Sequence, residues 1–141
     1  MKTTKILVQK SETGLSEDNK AKLKSLKIYK DKKHFKFSNG WVDLAYELGK
    51  NIEQVCKLAN CELPKIEAMY NKYNSLRVDY NFTSPVPKIV ETLIDSLIYV
   101  TEDKSEMICE CCGKSCDIEI TEKNNNYINA CEKCFDRKKR D

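Results

Sequence analysis

Histidine is nearly absent from this 141-residue chain; His34 is the only one, and it sits in a lysine-rich stretch. Chemistry that depends on an imidazole therefore has a single residue to draw on. Arginine is almost as scarce, with three against 22 lysines, and asparagine is frequent at eleven. That bias is what AT-rich codons produce. No apolar run approaches the roughly 20 residues that cross a bilayer. The opening MKTTKILVQK lacks the apolar centre of a signal peptide, so a cytoplasmic protein with no membrane association is expected. Phosphate-binding loops, nucleophile elbows and paired-carboxylate constellations are all missing. No residue reads as catalytic, and the chain is expected not to be an enzyme.

What is present is charge, 33% of residues, with aromatics at 9%. Such a composition belongs to a folded globular protein rather than a disordered or fibrous one. The net charge of +3 is unevenly spread. Residues 1–36 hold eleven lysines against four acids, whereas 37–105 hold seven basic residues against ten acids. A positive field at one end can steer toward phosphate or toward an acidic protein face.

Eight cysteines are the other abundance. In a reducing compartment clustered cysteines hold metal more often than they form disulfides. Two C-x-x-C pairs, Cys109/Cys112 and Cys131/Cys134, are separated by 18 residues. Each pair supplies two thiolates from one tight turn, and together they complete a zinc tetrahedron. Gly113 follows the first pair, where the backbone must bend and a side chain would crowd. Between the pairs, 117–121 alternates, Asn124–Asn126 can turn, and 127–129 can return as a second strand. The last pair then opens a short helix over 132–139. Cys111 and Cys116 are thiols lining the turn, substitutes for a nominal ligand, or donors to a second, weaker site. Cys56 and Cys61 read as small core residues.

Knuckle, hairpin and helix in this order resemble the treble-clef and zinc-ribbon group of fingers, and the spacing resembles that of GATA-type fingers. The resemblance covers about 33 residues. It implies structural zinc held by Cys109, Cys112, Cys131 and Cys134. With sulfur in every coordination position, no open site is left for catalysis.

The first hundred residues are expected to form a separate, mainly helical domain. Residues 5–9 suit a short strand. Ser16–Leu26 suits a lysine-rich helix with Ser16 as N-cap, and Lys27–Phe37 suits a hairpin. Trp41, Leu44, Ala45 and Leu48 predict a helix ending at Gly49. A second, capped by Asn51, carries Ile52, Val55, Leu58 and Ala59. Pro64 opens a third, with Ile66, Met69, Tyr70 and Tyr73 on one face. Within 41–75 two overlapping registers weakly resemble a helix-turn-helix; the second would turn Lys65, Asn71 and Lys72 outward, the first Glu53, Gln54 and Lys57. The strongest amphipathic pattern, 86–100, predicts a helix that buries Ile89, Leu93 and Leu97 against this unit or against a second copy in a homodimer. Residues 101–106 read as a linker.

The expected fold is thus α+β: a domain over 1–100, a linker over 101–106, and a four-Cys zinc finger over 107–141. The expected function is a non-enzymatic, zinc-containing regulator of a phage or mobile element that binds DNA. Lys65, Asn71 and Lys72 would meet bases, and Arg137, Lys138, Lys139 and Arg140 would meet phosphates. The alternative is an inhibitor that binds a host protein such as RNA polymerase, a sigma factor or a CRISPR nuclease. It is favoured by the acidic balance of 41–75, four lysines against five acids.

Overall fold

The computed structural model describes residues 15–31 and 35–114. The strand expected over 5–9, the hairpin and helix expected over 117–139, and the tail Arg137–Arg140 lie outside these residues. Among the described residues the fold is α+β. Helix α1 (Glu17–Lys24), α2 (Val42–Ala59) and α3 (Lys88–Ser105) accompany one antiparallel hairpin, β1 (Lys65–Lys72) and β2 (Ser75–Asn81). No described helix is long and apolar enough to cross a membrane.

Helix α1 forms where its caps predict. The Ser16 side chain accepts the Asn19 N–H, acids occupy the first turn, and lysines occupy the last. Its single buried residue, Leu23, anchors it to the core. The hairpin expected over 27–37 does not form in the described part. Lys27–Tyr29 is a 3₁₀ turn, and Lys36 instead bridges Tyr70 of β1 in parallel. The aromatic residues that suggested strands bury in sequence instead. Tyr29, Phe35 and Phe37 make successive edge-on contacts at 5.7 and 6.0 Å, and Phe37 lies against Trp41.

Residues 42–59 form one helix rather than two. Gly49 ends nothing, because it is a packing residue. A Cβ there would stand 2.7 Å from the Tyr29 ring and 2.8 Å from Leu26, so only glycine lets that strip pack on α2. The Tyr29 hydroxyl, beside it, donates to the Ala45 carbonyl at 2.7 Å. Burial, with a smaller contribution from Glu53, raises the pKa of that phenol far above its ordinary value, so it remains a neutral donor.

The third helix expected from Pro64 is also absent; the segment is strand β1. A bulge explains the misleading pattern. Ile66 pairs with Tyr80 and Ala68 with Asp79, leaving Glu67 extra. The inserted residue places Ile66 and Met69, three apart, on one face of the strand, the spacing a helix would give. The helix-turn-helix arrangement of 41–75 is therefore not formed. The hairpin is closed by Tyr73 and Asn74, both at positive φ (53° and 66°), which is the left-handed pair of a type I′ turn.

Helix α3 buries Val90, Ile94, Ile98, Thr101 and Ser105 against α2 and β2. The buried face is therefore rotated from the expected one. Ile89 is 75% exposed and Leu93 47%, while Leu97 is half-buried. The expected linker is likewise the last turn of α3. Ser105 Oγ and Glu102 Oε2 accept the Leu76 and Val78 N–H groups at 2.8 and 3.0 Å, capping the outer edge of β2.

Candidate metal centre

Directly after α3 the chain turns back toward the core and enters the first C-x-x-C pair. The Gly113 N–H donates to the Cys109 carbonyl at 2.8 Å, and the Cys109 N–H donates to the Lys114 carbonyl at 2.9 Å. Inside the loop the Cys112 N–H points at Cys109 Sγ at 3.4 Å. Such an N–H to sulfur contact is one that a thiolate ligand in a C-x-x-C turn can accept. Gly113 has φ +79°, and a Cβ there would stand 3.0 Å from the Gly40 carbonyl oxygen. The loop is thus shaped as a two-thiolate knuckle, with Cys109 fully buried and Cys112 exposed.

These features fit the donor set expected for zinc. Cys131 and Cys134, and also Cys116, lie outside the described residues. Among the described residues no group of three or more metal-ligating side chains assembles.

The knuckle is set into the body of the protein rather than hung beyond it. The Gly40 N–H donates to the Glu110 carbonyl at 2.6 Å, and Trp41 Nε1 donates to the Ile108 carbonyl at 3.0 Å. Gly40 has no room for a side chain, since a Cβ would run into the carbonyls of Cys109 and Glu110. The approach is backbone on backbone.

Glu110, between the paired cysteines, has no solvent exposure. One carboxylate oxygen accepts the Ser38 N–H at 2.9 Å, and the other accepts the Asn71 amide at 2.7 Å. These bonds tie the knuckle to the 3₁₀ turn Asn39–Trp41 and to β1. From the same turn Asn39 Oδ1 accepts the Ser16 N–H and the Asn19 amide, both at 2.9 Å. The segment 38–41 therefore joins α1 and α2 to the knuckle, and Glu110 adds β1 through Asn71.

The three residues expected on a recognition helix lie on β1 instead. Lys65 begins the strand and is exposed, and Lys72 ends it, with its ammonium 5.4 Å from the Tyr73 ring. Asn71 is engaged with Glu110. The structure thus brings Asn71 to the knuckle rather than to a common face with the two lysines. Glu110 escaped the sequence reading. Its only signal was a carboxylate set inside the C-x-x-C pair, which does not by itself distinguish a solvated side chain from a buried clamp.

No family model, curated protein or solved structure matches this chain.

Proposed function

We propose that this chain is a non-enzymatic regulatory protein, stapled by zinc and acting by binding another protein, as an inhibitor of a host machine would. Zinc would be held by Cys109, Cys112, Cys131 and Cys134. When bound, it supplies folding free energy and cross-links the C-terminal segment to the knuckle. This chain's own residues do the rest. Glu110, Asn71, the Gly40 N–H and the Trp41 indole hold the loop of the first pair against the core.

The observation that carries the protein-binding reading is a row of apolar side chains left in water on α3. Ile89, Leu93 and Val100 recur at helical spacing and are 75%, 47% and 47% exposed, and Met107 continues the row just past the helix. Apolar residues grouped along one element mark an interaction surface more often than scattered ones do. The DNA-binding reading keeps a narrower base. Its recognition helix is a hairpin strand, and its remaining support is the lysine-rich N-terminal third, including exposed Lys24, Lys27 and Lys30.

A gel shift with AT-rich duplex, paired with binding assays against purified candidate partners such as RNA polymerase, separates the readings. The expected result is no shift at about 50–100 mM salt, where nonspecific DNA binders still hold on. A partner complex should survive about 300 mM salt and be lost in Leu93→Asp, which should keep its melting temperature. A shift that weakens steeply with salt, with no partner complex, would move the assignment to DNA.

A further inference from the structure

The C-terminus of α2 carries two cysteines that the metal centre does not use. The helix ends at Ala59, and Asn60 takes the left-handed conformation at φ 56°. The Asn60 N–H donates to the Lys57 carbonyl at 3.2 Å, and the Cys61 N–H reaches back to the Cys56 carbonyl at 2.9 Å. These two bonds define a Schellman cap, a motif in which the residue after the left-handed one packs over the residue five before it. That contact is ordinarily between apolar side chains. Here both positions are cysteine.

We propose that Cys56 and Cys61 form a redox-active thiol pair that closes a reversible disulfide across the cap of α2. A disulfide needs Cα atoms about 4.4–6.8 Å apart with side chains converging. A turn closed by a hydrogen bond from the sixth residue to the first brings those two positions back beside each other. The thiols differ in access: Cys56 is buried and Cys61 is half-buried. Burial raises the Cys56 pKa, and the next cause is the Cys61 thiol itself, which places the two groups within electrostatic reach.

The oxidant is a low-molecular-weight disulfide of the glutathione class. Cys61, as thiolate, attacks one sulfur of the external disulfide. That S–S bond breaks, a mixed disulfide forms on Cys61, and one thiol leaves and takes up a proton. Cys56 then gives up its proton and attacks Cys61 Sγ, expelling the second thiol. Two protein thiols are oxidised by two electrons, and one external disulfide is reduced to two thiols. Because Cys56 is buried and its pKa is raised, its attack is slow. It is also a poor leaving group when an external thiol attacks Cys61. The bond is slow to form and slow to reverse, a property suited to recording an oxidising episode.

The test uses the full chain with zinc bound, so that metal shields the C-terminal thiols. The protein is equilibrated with oxidised and reduced glutathione at graded ratios, alkylated and digested with trypsin. Cleavage after Lys50, Lys57 and Lys65 puts Cys56 in peptide 51–57 and Cys61 in peptide 58–65. The two remain joined only through the proposed bond. The joined species should grow with the oxidised fraction, with loss of alkylation at both cysteines together. It should disappear on reduction and in Cys61→Ser, a change outside the buried core. Alkylation of both cysteines at every ratio would overturn the proposal. So would a lasting glutathione adduct on Cys61 with Cys56 free, or a bond from Cys61 to a cysteine of the metal segment.

Discussion

A carboxylate buried away from water is tolerated only when donors replace its hydration. Glu110 has that replacement in the Ser38 N–H and the Asn71 amide. Glu110→Ala removes the acceptor of the buried Ser38 N–H and of the partly buried Asn71 amide. At about 1–3 kcal/mol for each stranded group, the loss should total about 2–6 kcal/mol in a urea titration. Glu110→Gln should fall between the two, because its amide offers one acceptor oxygen where two are used. Equal stability of all three proteins would show that the clamp is not made in solution. Glu102 obeys the opposite logic. Burial holds its carboxyl above the ordinary range, outweighing the Val78 N–H and Arg77, which pull it down. A carboxyl with a raised folded-state pKa costs the fold stability as pH climbs through that range, since the folded state gives up its proton last. Glu102→Gln keeps an acceptor for Val78 without the charge. Its midpoint relative to the native protein should therefore be more favourable at pH 7 than at about pH 4, where the native carboxyl is largely protonated. A difference of the reverse sign would mean that Arg77 dominates.

At the scale of elements, α3 offers the sharpest contrast. Ile94 is fully buried, and its neighbour Leu93 is about half exposed. Ile94→Ala should cost about 2–5 kcal/mol through lost contacts and a residual cavity, whereas Leu93→Ala should stay within about 0.5 kcal/mol. Thermal melts of the two variants decide it, and comparable losses would place Leu93 in an interface between copies. The hairpin turn makes a second case. Tyr73 is a bulky residue at φ 53°, where asparagine or glycine is at ease. Replacing Tyr73-Asn74 by Asn-Gly should raise stability by about 0.5–1 kcal/mol, read as a higher melting temperature; a fall would show that the Lys72 contact with the Tyr73 ring outweighs backbone strain. These elements also show what a linear reading can and cannot recover. Helix α1 was legible from Ser16 and its charges, and the existence of α3 from its apolar spacing. The face of α3 was not, because Ile89, Val90, Leu93 and Ile94 make two adjacent stripes and only tertiary packing selects one. Strand β1 was hidden by its bulge. Gly49 passed for a helix stop because a glycine needed for close approach has the same letter as one needed for a turn. At the site, Gly113 beside Cys112 announced the knuckle, whereas Glu110 gained its meaning from Ser38 and Asn71, residues 72 and 39 positions away.

For the molecule as a whole, the question is whether the metal segment and the helical core fold as one unit. The sequence suggests two, with a linker between them and a module whose metal loss leaves residues 1–100 folded. The contacts of the module's described part, up to residue 114, join it to the core. Gly40 and Trp41 donate to the backbone of Glu110 and Ile108, Ser38 and Asn71 donate to the Glu110 carboxylate, and the expected linker is helix packed on β2. Structural zinc contributes about 10–16 kcal/mol of binding free energy, comparable to the entire stability of an ordinary domain, about 5–15 kcal/mol. Where the two share hydrogen bonds, losing the first draws on the second. Trp41 reports on that sharing directly. It is the chain's single tryptophan, it is fully buried, and its indole N–H is bonded to Ile108, next to Cys109. One zinc per chain should co-purify, be lost in Cys109→Ser and be retained in Cys111→Ser. Chelation should then lower the melting temperature of the whole chain and shift Trp41 emission to the red. Circular dichroism and fluorescence should follow a single curve, as a cooperative unit requires. Two transitions, with Trp41 emission unchanged by chelation, would mean that the Gly40–Glu110 seam opens at little cost and that the module is independent. Absence of zinc from freshly reduced protein would instead remove the metal assignment and leave the seam to be tested by Glu110→Ala alone.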